Sequence, residues 1–323
     1  STRNAGFACF GSISELLEDL QTNTEDQVFQ IASLRYRGLQ KLRNRIGDQK
    51  LQYQELGGME IFRSSDRIEF EKCLDAIPYF NKIVEEITGK KKTYRLMADD
   101  SSSKFGFHHI DHIIQNTAEG QIHTGEMMKS LMILAHQHNI FLLNGLSIQS
   151  LNDTGTEVEL LSTEGWTFTA QRLLVCTNGF AAKLLPKLDV QPARNQVIIT
   201  TPIKDLKVKG CFHYDRGYYY FRNIDNRILL GGGRNLDFSG EQTAEFGTST
   251  IIQDALQILL SEVVLPDQQV EIERSWSGIM GLGPVKKPII EKVSPNIAVA
   301  VRMGGMGVAI GSLVGEMGAE LIM

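Results

Sequence analysis

Apolar residues at helical spacing mark residues 28–45, with Leu34, Leu39 and Leu42 on the inward face, and residues 127–138, with Leu131, Leu134 and Ala135. Another helical pattern opens at Ser14, before Leu16 and Leu17. Residues 68–88 read as helical with an interruption near Pro78, since a proline inside a helix loses one backbone hydrogen bond and clashes with the preceding turn. Short apolar runs predict strands at 59–62, 140–143 and 147–151, and a hairpin of 157–161 with 166–170 around Glu164 and Gly165. Residues 172–175 form an apolar strand that breaks into a small polar turn. Residues 195–202, 217–222 and 227–233 alternate and are joined by turn residues such as Asp225 and Asn226, which predicts an antiparallel sheet. A helix over about 248–262 returns the chain to residues 271–279 and so to the closing strand.

The pattern closes on its most defined element. Residues 297–302 are a β-branched apolar run ending in a charge, which predicts a buried strand. Gly304, Gly305 and Gly307 then permit a left-handed turn or a close approach to the backbone. A helix follows from Val308, with Gly307, Gly311, Gly315 and Ala319 as a smooth stripe expected to press on a sheet. Strand, glycine turn and helix together present unpaired N–H groups and a partial positive charge, suited to a phosphate or a delocalised anion. A dinucleotide fingerprint is the weaker reading, because it needs a second strand and an acidic residue about 20 positions on. A membrane helix is the weaker reading too: Glu316 and Glu320 interrupt the segment and it is short for a span.

Composition narrows the function classes. The 323 residues are 42% hydrophobic, enough for a substantial core, and the net charge of −5 argues against a nucleic-acid partner. Cys9, Cys73, Cys176 and Cys211 are scattered without CxxC spacing, which predicts free thiols in a reducing, cytoplasmic setting and no zinc site of the familiar kind. No signal peptide or integral membrane segment is visible.

Three places carry candidate chemistry. His108, His109, Asp111 and His112 are the densest polar cluster, but Phe and Ile alternate with them as in a strand. That pattern favours surface or substrate-pocket histidines over a metal site. Cys176, Thr177, Asn178 and Gly179 follow an apolar strand, the kind of strand end where open α/β sheets bind ligands. Alternation puts Tyr218, Tyr220 and Arg222 on one face and Tyr219 and Phe221 on the other. Two phenols and a guanidinium suit a carboxylate-bearing substrate; an ordinary amphipathic sheet edge has the same pattern.

Taken in order, these residues resemble the FAD-dependent amino acid and amine oxidases of the D-amino-acid oxidase, glycine oxidase and sarcosine oxidase type. The opening Ser1, Thr2, Arg3, Asn4, Ala5 and Gly6 resemble that family's flavin-contacting loop, and residues 119–125 the turn that leads back to its FAD domain. Ile148 falls where the family has an apolar residue near the adenine. Cys176, Thr177, Asn178 and Gly179 match a strand end of the family. Gly304, Gly305, Met306, Gly307 and Val308 match the segment over the flavin pyrimidine ring. Gln196, Gly231, Gly232 and residues 276–278 fall on substrate-domain and re-entry positions.

The resemblance implies an α/β (α+β) fold in which a Rossmann-like FAD domain (1–45, 116–190, 271–323) is interleaved with an antiparallel-sheet substrate domain (46–115, 191–270). It implies FAD as cofactor, no metal, a small amine or amino acid as substrate, and oxygen or another carrier as electron acceptor. Tyr218, Tyr220, Arg222 and Arg302 are the candidate catalytic residues. The chain departs from the family in having Gly305 where glycine oxidase-like enzymes carry a carboxylate-binding arginine, which leaves Arg222 and Arg302 for that role, and in having Glu291 where many relatives have glycine. The family's N-terminal βαβ unit for the pyrophosphate is not recognisable, so an incomplete FAD domain with an open sheet edge near Val175 and Arg302 is expected. A non-catalytic flavin- or small-molecule-binding module of the same fold is the alternative.

Overall fold

The computed structural model describes residues 3–323. The expectations for Ser1 and Thr2 lie outside the described residues. In chain order, β1 (Phe7–Ala8) leads to α1 (Ile13–Leu20), α2 (Glu25–Ile46) and the single turn α3 (Asp48–Leu51). Then come β2 (Gly58–Phe62), α4 (Arg67–Thr88), β3 (Tyr94–Leu96), α5 (Ser101–Phe105), β4 (His112–Asn116) and β5 (Gly120–Gln121). α6 (Thr124–Gln137) precedes the meander β6 (Ile148–Asp153), β7 (Val158–Ser162) and β8 (Thr167–Ala170). β9 (Leu173–Val175) and α7 (Ala181–Leu184) are followed by β10 (Gln191–Thr200), β11 (Cys211–Tyr214), β12 (Tyr219–Ile224) and β13 (Arg227–Gly232). α8 (Thr250–Leu259), β14 (Ile272–Leu282), β15 (Ile289–Lys292), β16 (Ile297–Val301) and α9 (Gly307–Glu320) complete the chain.

An eight-stranded sheet dominates, in the order β14-β10-β13-β12-β11-β2-β4-β3. Alternation gives it two different faces. Met59, Ile61, Phe212, Phe221 and Leu230 pack with Ile252, Leu256 and Leu259 of α8. Phe62, Tyr94 and Ile114 point the other way and pack with Phe10 and with α1, α2 and α4 through Ile13, Phe29 and Phe80. A second sheet of three strands runs β15-β16-β9, with β16 parallel to β9. Ile297, Val299 and Val301 of β16 face a core that includes Val175, while Ala300 faces α9.

Several sequence expectations need correction. α1 starts earlier than Ser14, because Ser12 and Glu15 form a reciprocal capping box. α4 runs unbroken through Pro78, with Phe70, Cys73, Phe80 and Val84 buried to offset the lost backbone bond. Residues 106–111 are irregular, so the strand expected from Phe105 begins only at His112. Residues 140–143 form no strand: among the described residues none pairs with them, and Phe141 is 84% exposed. The open edge expected near Val175 is present, since β9 pairs with β16 alone among the described residues; β16 itself, the strand before Arg302, is paired on both sides. Residues 272–282, for which no element is expected, form β14, which belongs to the large sheet through β10.

Candidate active site

β16 is wholly buried and ends in a strained reversal. Arg302, Gly304 and Gly305 have φ of +64°, +56° and +80°. Such values are natural for glycine and cost an arginine energy that the surroundings must supply. Those surroundings are visible. Arg302 Nε donates to the Lys287 carbonyl (3.0 Å) and Nη1 pairs with Asp189 (3.2 Å), so the guanidinium is engaged away from the turn. The N–H of Met303 donates to Asn178 Oδ1 (3.1 Å) and that of Gly304 to the Gly281 carbonyl (3.1 Å). α9 then begins with no capping side chain, which leaves first-turn N–H groups and the positive end of the helix dipole at the turn.

The second strand end is built into the same junction. Asn178 is left-handed (φ +47°), and a Cβ on Gly179 would lie 2.5 Å from the Met280 carbonyl. A Cβ on Gly281 would meet Asn178 Oδ1 at 2.7 Å. Glycine is therefore required at both positions for the two turns to meet at the end of β14. Met280 also faces Gly305, where an added Cβ would be 3.4 Å from its sulfur, and Asn195 on β10 lies beside it with a buried Oδ1 that has no partner among the described residues. Neither Met280 nor Asn195 stands out in the sequence: residues 272–282 mix charged, polar and apolar side chains, and no local pattern marks either position.

Along β14 toward its start lies the opening loop. Arg3 Nη1 donates to the Ser277 carbonyl (2.9 Å), Trp276 Nε1 donates to the Arg3 carbonyl (3.2 Å), and the Arg3 guanidinium stacks on Phe246 (4.2 Å). Asn4 Oδ1 accepts the Gly6 N–H. From Trp276 to Met280 is four strand residues, roughly 13 Å at about 3.3 Å each. The opening loop and the glycine turn are thus held at two stations on one strand.

Arg222 and Tyr220 share a face of β12, opposite Tyr219 and Phe221, as alternation requires. Arg222 is 2% exposed; its Nε donates to the Ala5 carbonyl (2.5 Å), while Nη2 is buried and has no partner among the described residues. Burial lowers the guanidinium's affinity for its proton. A Cβ on Gly6 (φ +82°) would lie 2.6 Å from Nη2, so the loop covers the arginine closely. Arg222 therefore lies beneath residues 5–6 and does not line an open cavity. Tyr220 packs over Gly231 and edge-on to Phe7 (5.3 Å), and burial raises its phenol's pKa. Tyr218 precedes the strand and turns to Phe238 (5.9 Å), apart from that pair.

The other candidates are dispersed. Ile148 begins β6 in the separate β6-β7-β8 sheet, and Gln196 is buried and bonded to Glu241, Ser249 and Gln253. Cys176 is exposed. His112 stacks on Phe70 (3.9 Å) and His108 faces Asp267 (3.5 Å), so the histidine cluster is divided among neighbours. A cleft of about 290 Å³ lies elsewhere, lined by Ser14, Glu60, Asp66 and Arg216 among others.

The chain's similarities fit this geometry. The model of a family described as DAO, FAD dependent oxidoreductase, matches residues 1–321. The chain is 25% identical over 248 residues to a probable oxidoreductase, OrdL, of Rhizobium meliloti (strain 1021), an alignment covering 74% of this chain and 56% of that protein. The chain thus spans little more than half the length of that relative. Among solved structures, glycine oxidase from Bacillus cereus ATCC 14579 superposes with a TM-score of 0.76 at 14% identity, over 99% of this chain and 86% of that one. Iminodiacetate oxidase from Chelativorans sp. BNC1 gives 0.74 at 17% identity, over 100% and 85%. L-proline dehydrogenase from P. horikoshii gives 0.71 at 16%, over 91% and 79%. At these identities the likeness is one of fold. Among the described residues, no helix is long and apolar enough to cross a membrane.

Proposed function

From the premise that this chain belongs to the DAO family of FAD-dependent oxidoreductases, we propose that it oxidises the C–N bond of a small amine or amino acid. The observation that carries this reading is the uncapped N-terminus of α9 behind the Gly304–Gly305 turn, locked to the second strand end through Asn178. FAD held at this turn would supply the oxidant, a two-electron acceptor that becomes more negatively charged on reduction, and the oxidised substrate would leave as an imine that hydrolyses in water.

The chain's own residues then have simple tasks. The N–H groups at the start of α9 stabilise that negative charge, a donor set fixed in place before reaction. The loop at Arg3, Asn4, Ala5 and Gly6, held to β14 and to Arg222, supports the other side of the ring system. Tyr220, Met280 and Asn195 line the substrate side and exclude water. Arg222 acts first on the loop, and a substrate carboxylate reaches it at Nη2 only when residues 5–6 shift. Oxygen or another carrier would be the final electron acceptor. Glycine, proline and iminodiacetate, which the structural neighbours' names point to, are the substrates to try first.

The test is anaerobic titration of the FAD-loaded protein with these and other primary and secondary amines, followed by flavin absorbance. Bleaching by one of them supports the reading. A firmly bound flavin that none of them reduces overturns it in favour of a non-catalytic binding module.

A further inference from the structure

Antiparallel pairing of β1 with β5 sets Ala8 opposite Gly120, which brings the next residue, Cys9, close to Glu119. This small ribbon lies on the large sheet where β11 carries His213, and Phe7 packs edge-on against that imidazole (5.3 Å). One ligand-capable atom from each of Cys9, Glu119 and His213 lies within 4.8 Å of the others. Cys9 and Glu119 are 2% and 1% exposed.

The donor set is unusual for a protein interior. His213 Nε2 is buried and, among the described residues, has no hydrogen-bond partner, an arrangement that is costly to keep in a protein interior. A histidine kept only for packing is normally satisfied. Glu119 Oε1 accepts the N–H groups of Phe10 (2.7 Å) and Gly11 (2.9 Å), and its carboxyl group also meets the Cys9 thiol. The thiols of Cys211 and Cys9 both approach the Gly120 carbonyl (3.2 and 4.0 Å), but Cys211 lies outside the triangle.

We propose that Cys9, Glu119 and His213 bind a divalent transition-metal ion of the zinc class, which clamps the β1-β5 ribbon onto β11. Thiolate, carboxylate and neutral imidazole are the ligands such an ion prefers. One thiolate and one carboxylate balance its two charges, so the filled site is neutral, as a buried site needs to be. Bond lengths of 2.0–2.3 Å imply ligand separations of about 3.3–3.7 Å in a tetrahedron, so side-chain movements of roughly 1 Å close the triangle. Burial makes this a structural ion whose binding energy appears as fold stability. The proposal is independent of the oxidase reading.

The probe is Co²⁺ alone, added to protein stripped of metal by a chelator and read as a difference spectrum against the Zn²⁺-loaded form. The expected result is a saturable thiolate-to-cobalt charge-transfer band in the near ultraviolet, reaching one equivalent per chain. Cys176→Ser, at the exposed thiol, keeps the band; Cys9→Ser loses it, and His213→Gln weakens the affinity at least tenfold. X-ray absorption of the cobalt-loaded unmutated protein, which does not depend on any variant folding, should show one sulfur among nitrogen and oxygen ligands. A coordination shell without sulfur, no band in the unmutated protein, or an unchanged band in natively folded Cys9→Ser overturns the proposal.

Discussion

At the scale of single residues, the opening loop depends on backbone conformations that only its own side chains explain. Gly6 sits at φ +82°, and any Cβ there would lie 2.5 Å from the Ile122 carbonyl and 2.6 Å from Arg222. Gly6→Ala is expected to cost about 2–3 kcal/mol by denaturant unfolding, left-handed strain and clash together; a loss under about 0.5 kcal/mol, typical of a neutral surface change, contradicts the geometry. Arg222→Lys keeps the charge but loses the directed bond to Ala5, so flavin affinity should fall about tenfold, the worth of one charge-assisted hydrogen bond. Flavin fluorescence quenching measures it. A loss confined to turnover of carboxylate-bearing amines, with flavin affinity intact, would place Arg222 on the substrate instead. Glu60 gives a pH signature: burial pushes its carboxyl up to about 7, against hydrogen bonds from Ser14 that act the other way. Its folded-state pKa lies above the ordinary 4.5, so the folded state holds a proton that the unfolded chain releases. Stability from this group is full below about 4.5 and is lost as pH rises through about 7. Glu60→Gln should flatten that decline, seen as a stability gain relative to the unmutated protein that grows between those two values.

Elements were legible where their instructions are local. The strand, glycine turn and helix at residues 297–320 are specified by neighbours a few positions apart, and β16 and α9 form there. The facing of α9 was not legible. Gly307, Gly311 and Gly315 do not press on the sheet; Gly318 does, where a Cβ would lie 2.8 Å from Ala300. The helix's other close contact comes from α2, where a Cβ on Gly38 would lie 2.4 Å from the Ala309 carbonyl. Periodicity reports that a helix has a smooth side, not which neighbour occupies it. Two substitutions separate these faces. Gly38→Ala should drive α2 from α9 and lower both stability and flavin content. Gly315→Ala, exposed with nothing within 4 Å, should gain about 0.5–1 kcal/mol, as alanine does over glycine inside a helix. A destabilised Gly315→Ala protein would show instead that the stripe is a packing surface. β11 escaped notice because its four residues, Cys211–Tyr214, include a histidine and lack alternation strong enough to mark a strand. Missing that strand hid the approach of His213 to Cys9 and Glu119.

For the whole molecule, the interleaving of sheets is what the linear pattern conveys least. β10 pairs with β14 across more than 70 intervening residues, from Gln191 with Leu282 to Thr200 with Ile272. β14 in turn touches both turns of the three-stranded sheet's junction, so one strand ties the large sheet to the glycine turn. Which strands meet is decided by burial of both faces, a global condition that no local window contains. The same condition explains residues 140–143. Their apolar run has the composition of a strand, yet a strand exists only with a partner for its N–H and C=O groups. Ile140 donates to the Ala135 carbonyl (2.9 Å), and among the described residues Phe141, Leu142 and Leu143 make no backbone bond. Protection from hydrogen exchange should therefore divide sharply. Amides of β12 and β13, paired on both sides in the middle of the large sheet, should exchange only with global unfolding, whereas those of Phe141–Leu143 should exchange at nearly unfolded-chain rates. The measurement is peptide-resolved deuterium uptake by mass spectrometry. Slow exchange at 141–143 in the isolated chain would mean that these residues have a backbone partner after all. Rapid uptake there together with slow uptake in β12 and β13 would show that strand-like composition without a neighbour leaves the backbone open to water.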